Sequence, residues 1–287
     1  MDTPGEPPRG PGNGDHPAGA ATGQPAPPSA PSSAQPRLRA LVVDDTAVNQ
    51  KLACSLLARA QYDTVVVEDG QAAVDIVARE DFNLVLMDLQ MPVLGGIDAA
   101  RLIRDWERKV GGHVPIIAVT ARTVDGDRDA CLAAGMDGFL RKPVRAEELF
   151  AMIDAVGGRR HPATEPGTRV ASATDDVFDA PELLASVQGD RALARELGAL
   201  FLTDAPRQVA AMRDAIECGD ARRLQFSAHA LKGSAMTLTA RRVAVHARAL
   251  ESMGTDGNMH DASGAVAQLE SALQQLGVTI TNALRDD

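Results

Sequence analysis

Four apolar runs in this chain end in polar residues whose types suit work on a phosphoryl group. Leu41-Val42-Val43 leads into Asp44-Asp45, and Leu84-Val85-Leu86-Met87 into Asp88. Ile116-Ile117-Ala118-Val119 leads into Thr120, and Phe139-Leu140 is followed by Lys142-Pro143. In an open parallel sheet the ligand crevice lies outside the carboxyl ends of the strands. Runs of this kind therefore bring three carboxylates, a hydroxyl and an ammonium to one place. Three clustered carboxylates raise one another's pKa unless something neutralises them. A hard cation with oxygen ligands does so, and magnesium takes one or two carboxylates while keeping waters and phosphate oxygens. A carboxylate can also attack phosphorus and form an acyl phosphate. Lys142 is a compact charge for a phosphate oxygen. Thr120 adds a hydroxyl donor, with the small Ala121 beside it. Taken singly, each residue is ordinary: an acid at a strand end is usually a cap or a solvated charge, and a lone lysine is usually exposed. The set and its order carry the reading.

A second constellation centres on His229, in Ser227-Ala228-His229-Ala230-Leu231-Lys232-Gly233-Ser234. On a helical wheel Ala221, Leu224, Ala228, Leu231 and Ala235 share one stripe and face a core. His229 lies well round from that stripe, which makes it an exposed position. Most exposed helical histidines are surface only. Here Gly233, costly inside a helix, leaves the imidazole open to a partner, and Lys232 places positive charge nearby. A zinc site with His246 is weak, because no third ligand is near in sequence.

The elements that must position these groups follow from periodicity. Between Arg37 and about Val156 the spacing predicts strands at 39–43, 64–67, 84–87, 116–119 and 138–140. Helices are predicted at 47–60, 71–79, 96–110, 124–134 and 146–155. Thr46, Asp69 and Thr123 sit where helix caps belong, and Gly111-Gly112 and Gly135 where helices stop. Five such units give an α/β doubly wound parallel sheet in flavodoxin-like order. From Phe178 onward no strand pattern recurs. Helices are predicted near 181–187 and at 191–217, 221–236, 241–253 and 261–283. They are broken by turns at Gly189-Asp190, Gly219-Asp220 and Gly254-Thr255-Asp256-Gly257, and together they make an all-α antiparallel bundle.

Both sites resemble known families. Residues 37–157, with Asp44, Asp45, Asp88, Thr120 and Lys142 in order, resemble the receiver domain of two-component response regulators. The run from His229 to Ser234 resembles the signature of the histidine phosphotransfer (HPt) domain, His-x-Leu-Lys-Gly and a small residue, and that likeness extends over residues 177–287. Many such domains carry Gly-Ala shortly after the motif, where this chain has Thr239-Ala240. The resemblance implies that Asp88 is the phosphoacceptor. Asp45, Asp88 and the Gln90 backbone carbonyl would hold Mg2+, with Asp44 acting through a bound water. It implies a cis peptide at Lys142-Pro143, a switch formed by Thr120 and Phe139, and Gln90 and Arg122 side chains bordering the phosphoryl group. Phe139 reads equally as an ordinary core residue. His229 would carry a phosphoryl group, with Lys232 and Gly233 at the docking surface. The partners implied are a sensor histidine kinase and another receiver-domain protein. A receiver-switched binding module with the bundle as scaffold, or the C-terminal part of a hybrid kinase, are the alternatives.

Composition narrows the rest. The 287 residues suffice for two domains. A formal charge of −10, one Trp and one Tyr argue against nucleic-acid binding. No apolar run approaches the roughly 20 residues of a membrane span, and the N-terminus lacks a signal-peptide pattern, so a cytoplasmic location without direct membrane insertion is expected. Cys54, Cys131 and Cys218 have no metal spacing and read as reduced core residues. Residues 1–36 hold ten of the seventeen prolines and read as a disordered tail. Residues 158–176 read as a flexible linker. No ATP-binding glycine-rich motif is apparent, so a phosphoryl carrier rather than a kinase is expected.

Overall fold

Central strands that are buried on both faces read as continuous apolar runs, and three of the five strands here are of that kind. The computed structural model describes residues 38–121, 125–157 and 177–284, with backbone alone at 125–127. The expected tail, the linker, the cap at Thr123 and Arg122 lie outside the described residues. The first half alternates β1 (Leu38–Val43), α1 (Ala47–Arg59), β2 (Tyr62–Val67), α2 (Gly70–Val77), β3 (Leu84–Asp88), α3 (Gly96–Val110), β4 (Ile116–Thr120), α4 (Asp125–Ala133), β5 (Gly138–Arg141) and α5 (Ala146–Gly157). The strands form one parallel sheet in the order β2-β1-β3-β4-β5, the flavodoxin-like arrangement.

The pleat sorts the side chains into two apolar layers. Ala40, Val42, Leu84, Leu86, Ile117 and Val119 face one cluster. Leu41, Val43, Val85, Met87, Ile116 and Ala118 face the other. Register then aligns the strand ends: Val43 pairs with Met87, Asp88 with Val119, and Thr120 with Arg141. Gly96, at the start of α3, lets that helix close on β3, since a Cβ there would lie 2.1 Å from the Asp88 carbonyl oxygen.

The second half holds α6 (Ala180–Ser186), α7 (Arg191–Cys218), α8 (Ala221–Thr237), α9 (Arg241–Asp256) and α10 (Ala262–Ala283). The four long helices pack in a ring, α7 on α8, α8 on α9, α9 on α10 and α10 on α7. Asp179, Asp190 and Asp220 cap α6, α7 and α8 by accepting from the backbone N–H three residues on. Helix α1 packs on α7 and α8, and one apolar cluster runs from the sheet through α1 into the bundle. Both halves belong to one compact unit.

Several expectations are corrected. Asp69 caps α2 through Ala72 N–H, but the Thr46 hydroxyl donates to Asp44 and makes no cap bond. Helix α9 does not break at Gly254. It continues to Asp256 and stops at Gly257, which has φ 69°. A glycine stands at 254 inside the helix because α8 lies so close that a Cβ there would sit 2.6 Å from Gln225 N. Thr239 takes φ 56°. A β-branched residue is strained in that region, and its hydroxyl donates to the Asp179 carbonyl at 2.7 Å. Among the cysteines only Cys131 is buried; Cys218 is exposed. Among the described residues no helix is long and apolar enough to cross a membrane.

Candidate phosphoryl site

The carboxyl ends of β1, β3, β4 and β5 bring together Asp44, Asp45, Asp88, Thr120 and Lys142. Carboxylate oxygens of the three aspartates lie within 4.8 Å of one another. Lys142, which precedes Pro143 through a cis peptide, spans two of them. Its Nζ donates to Asp88 Oδ2 at 2.5 Å and to Asp44 Oδ2 at 2.8 Å. Asp44, Asp88, Thr120 and Lys142 are all buried. Burial opposes the lysine's charge, but the two carboxylates outweigh it and raise its pKa. Burial also raises Asp88, with Lys142 pulling the other way and Asp44 reinforcing the rise. Asp45 is pushed up to about 7, by burial first and then by the charges of Asp88 and Asp44.

The donor set fits a hard cation. Asp45 and Asp88 face a common point, and the cluster carries more negative charge than one ammonium neutralises. Asp44 is differently placed. Its Oδ1 already accepts from Thr46 N, Thr46 Oγ1 and Asn49 Nδ2, and its Oδ2 from Lys142. Gln90 follows in the loop, where its N–H donates to Asp88 Oδ1 at 3.2 Å. Its side-chain Oε1 is buried without a hydrogen-bond partner. Phe139 is half-buried, packs against the second apolar layer, and has the Arg128 guanidinium 5.7 Å from its ring centre.

His229 is brought to the same place, and this corrects its expected exposure. It is 4 % exposed, because the sheet-bearing half covers the face of α8 that points away from the bundle core. A Cβ at Gly233 would meet Asn49 Nδ2 at 3.5 Å and Lys142 Nζ at 3.8 Å, and His229 lies close enough to Asp88 that its ring, in the protonated form, lowers that aspartate's pKa. Lys232 is also buried rather than free on a docking surface, paired with Glu251 Oε2 at 2.5 Å.

Glu251, on α9, is the functional residue that the motif did not reveal. Its Oε1 lies 2.7 Å from His229 Nδ1, while Lys232 Nζ lies 3.3 Å from the same nitrogen. One nitrogen cannot donate to one and accept from the other. The shorter, carboxylate contact decides: Nδ1 donates to Glu251, so in the neutral ring Nε2 is the nitrogen with the lone pair. Burial would raise Glu251, but hydrogen bonds from His229 and Lys232 hold it at about 2. The imidazole is thus oriented as a nucleophile.

Comparison with known proteins assigns a family to each half of the chain. The response regulator receiver domain family matches residues 40–154, and the Hpt domain family matches residues 196–278. The chain therefore carries a response regulator receiver domain followed by an Hpt domain. Those two modules occur in that order, and no kinase domain is among the family matches. It is 34 % identical over 208 residues to the sensor protein GacS of Pseudomonas syringae pv. syringae, covering 71 % of this chain and 23 % of GacS. The curated relatives it matches are far longer, and the aligned part spans 5 % to 29 % of their length. A receiver domain of a Pseudomonas aeruginosa PAO1 sensor histidine kinase, crystallised with magnesium in its active-site cleft, is 38 % identical over 43 % of this chain and 99 % of that one, with a TM-score of 0.40. The complex of the Saccharomyces cerevisiae histidine phosphotransfer protein Ypd1 with the Ssk1 receiver is matched at 34 % identity over 43 % of this chain and 90 % of that one, with a TM-score of 0.41.

Proposed function

We propose that Asp88 accepts a phosphoryl group from a sensor histidine kinase and passes it to His229 of the same chain, from which another receiver-domain protein takes it. The observation that carries this reading is the placement of Lys142, which is bonded to Asp88 and faces Gly233 one turn beyond His229. An Asp88 carboxylate oxygen attacks phosphorus and displaces the donor imidazole. In the second step His229 Nε2 attacks the same phosphorus. An N–P bond forms, the O–P bond to Asp88 breaks, and the carboxylate is restored. Nδ1–H stays bonded to Glu251, whose negative charge offsets the positive charge on the substituted ring. Asp45, Asp88 and the Gln90 carbonyl would hold Mg2+, with Asp44, saturated by protein donors, acting through water. Magnesium there supplies positive charge to the phosphoryl oxygens. Thr120 and Phe139 form the switch. The modules span 37–157 and 177–287, with a tail at 1–36 and a linker at 158–176. The chain acts as a carrier in the cytoplasm, not as a kinase.

The test is labelling with acetyl phosphate. Wild type should take up a base-labile label that needs magnesium, followed by an acid-labile one. Asp88→Asn should lose both, and His229→Gln only the second. Undiminished labelling of Asp88→Asn would end this reading.

Magnesium binding should carry a pH signature. Asp45 has an ordinary value of 3.8, and the folded chain raises it to about 7. Between those values the folded chain holds a proton that the unfolded chain has released. Stability from this source is therefore lost as pH rises toward 7, and the penalty is fully present above it. A cation must displace that proton, so its affinity should fall by up to about tenfold per pH unit below 7. Magnesium should raise the Tm more at pH 8 than at pH 6. Equal shifts would show that Asp45 does not titrate against the cation.

A further inference from the structure

Threonine inside a helix commonly turns its hydroxyl back to the carbonyl four residues earlier. Thr203, Thr255, Thr279 and Thr281 all do so here. Thr237 does not. It donates to Asn49 Oδ1 at 2.7 Å, across the junction between α8 and α1. Both residues are buried, at 2 % and 7 % exposure. Thr237 also shares a face with Gly233 and His229, four and eight residues before it along α8.

The polarity of this contact is fixed from the other side. Asn49 Nδ2 donates to Asp44 Oδ1 at 3.1 Å. A carboxylate only accepts, so the NH2 of the amide must face it and the amide oxygen must face α8. The receiver thus presents a buried acceptor to the helix that carries the histidine. Other polar contacts of the junction include the partly exposed ion pairs Lys51–Glu196, Arg59–Asp190 and Arg145–Glu182, and Arg59 also donates to the Val187 carbonyl and to Gln188 Oε1, each at 3.1 Å. Long exposed side chains of that kind tolerate sliding and fix register weakly. A slip of one helical turn would move His229 by about 5.4 Å, out of in-line reach of Asp88.

We propose that Asn49 and Thr237 are positioning residues that lock the register of α8 on the receiver, and that Asn49 selects HPt helices bearing a hydroxyl donor two turns beyond the histidine. Asp44 sets this selectivity by orienting the amide. The inference rests on the relay reading above, and it assigns to that transfer a partner preference for this chain's own helix.

The test uses the full chain with Thr237→Val, which keeps the shape and removes the donor, and Thr237→Ser, which keeps the donor. With acetyl phosphate and magnesium, Thr237→Val should label Asp88 at the wild-type rate. Its transfer to His229 should be about tenfold slower, because a buried acceptor is left unpaired when α8 docks in register. Hydrogen exchange over residues 47–59 should be faster than in wild type. Thr237→Ser should behave as wild type in both measurements. Wild-type transfer and exchange in Thr237→Val would overturn the lock, and so would a Thr237→Ser variant as slow as Thr237→Val, which would mean that size is read and not the donor. If wild type itself passes nothing from Asp88 to His229, the relay reading fails. The exchange measurement still decides the lock: faster exchange in Thr237→Val upholds it and unchanged exchange overturns it.

Discussion

The Gly233→Leu chain should label on Asp88 as wild type does and pass almost none of that label to His229. A Cβ at position 233 meets Asn49 Nδ2 at 3.5 Å and Lys142 Nζ at 3.8 Å, ordinary contact distances. Alanine therefore fits, and Gly233→Ala should transfer within a few-fold of wild type. The rest of a leucine side chain extends past Cβ toward those two groups. Neither can give way cheaply: Asn49 is bonded to Asp44 and Thr237, and Lys142 to Asp44 and Asp88. The helix must then lift from the receiver. A misplacement of about 1 Å can cost roughly a hundredfold in a reaction that depends on in-line geometry, so the loss should be at least that large. Intrinsic helix propensity moves the other way, since replacing a helical glycine gains about 0.8 kcal/mol. The Tm of the bundle should therefore hold or rise while transfer collapses. A rapid-quench time course beside a thermal melt separates the two. Wild-type transfer would show that α8 does not meet the receiver through this face.

The acid cluster was legible because burial on both faces gives β1, β3 and β4 unbroken apolar runs, so that the first polar residue after each marks a strand end. The reading of His229 shows where periodicity stops. The wheel separates it correctly from the stripe of Leu224, Ala228, Leu231 and Ala235, all fully buried in the bundle. A face turned from one core is not thereby exposed, and a second module covers this one. The end of α9 fails for a related reason. Gly254 and Gly257 are both local stop signals, and only the close approach of α8 decides that the first is a packing residue. Glu251, Asn49 and Thr237 belong to no motif. Asn49 nonetheless left a trace, since it falls among Val48, Leu52, Ala53 and Leu56 on the buried face of α1. An amide in that stripe needs buried partners, and here those partners, Asp44 and Thr237, lie one on each module.

Lys142→Met should act on stability and on metal affinity with opposite signs. In the absence of metal the ammonium is the charge that holds Asp44 and Asp88 together, at 2.8 and 2.5 Å. Removing one partner of a buried pair costs about 3–5 kcal/mol, and here two carboxylates lose it at once. Protonation offsets part of the loss. Asp88 already sits above its ordinary value through burial, and without the lysine it moves higher. The folded variant then holds protons that the unfolded chain releases near the ordinary carboxylate value. Its stability is retained at low pH and lost as pH rises. The drop in Tm relative to wild type should accordingly be larger at pH 8 than at pH 5.5. Magnesium reverses the comparison. In wild type a cation must compete with Lys142 for Asp88 Oδ2, whereas in the variant that oxygen is free and the local negative charge is greater. Magnesium should therefore bind the variant more tightly and raise its Tm by more than it raises that of wild type. Thermal melts with and without magnesium at the two pH values test both parts. A metal-free Lys142→Met chain as stable as wild type at pH 8 would mean that the carboxylates are neutralised by something other than this lysine.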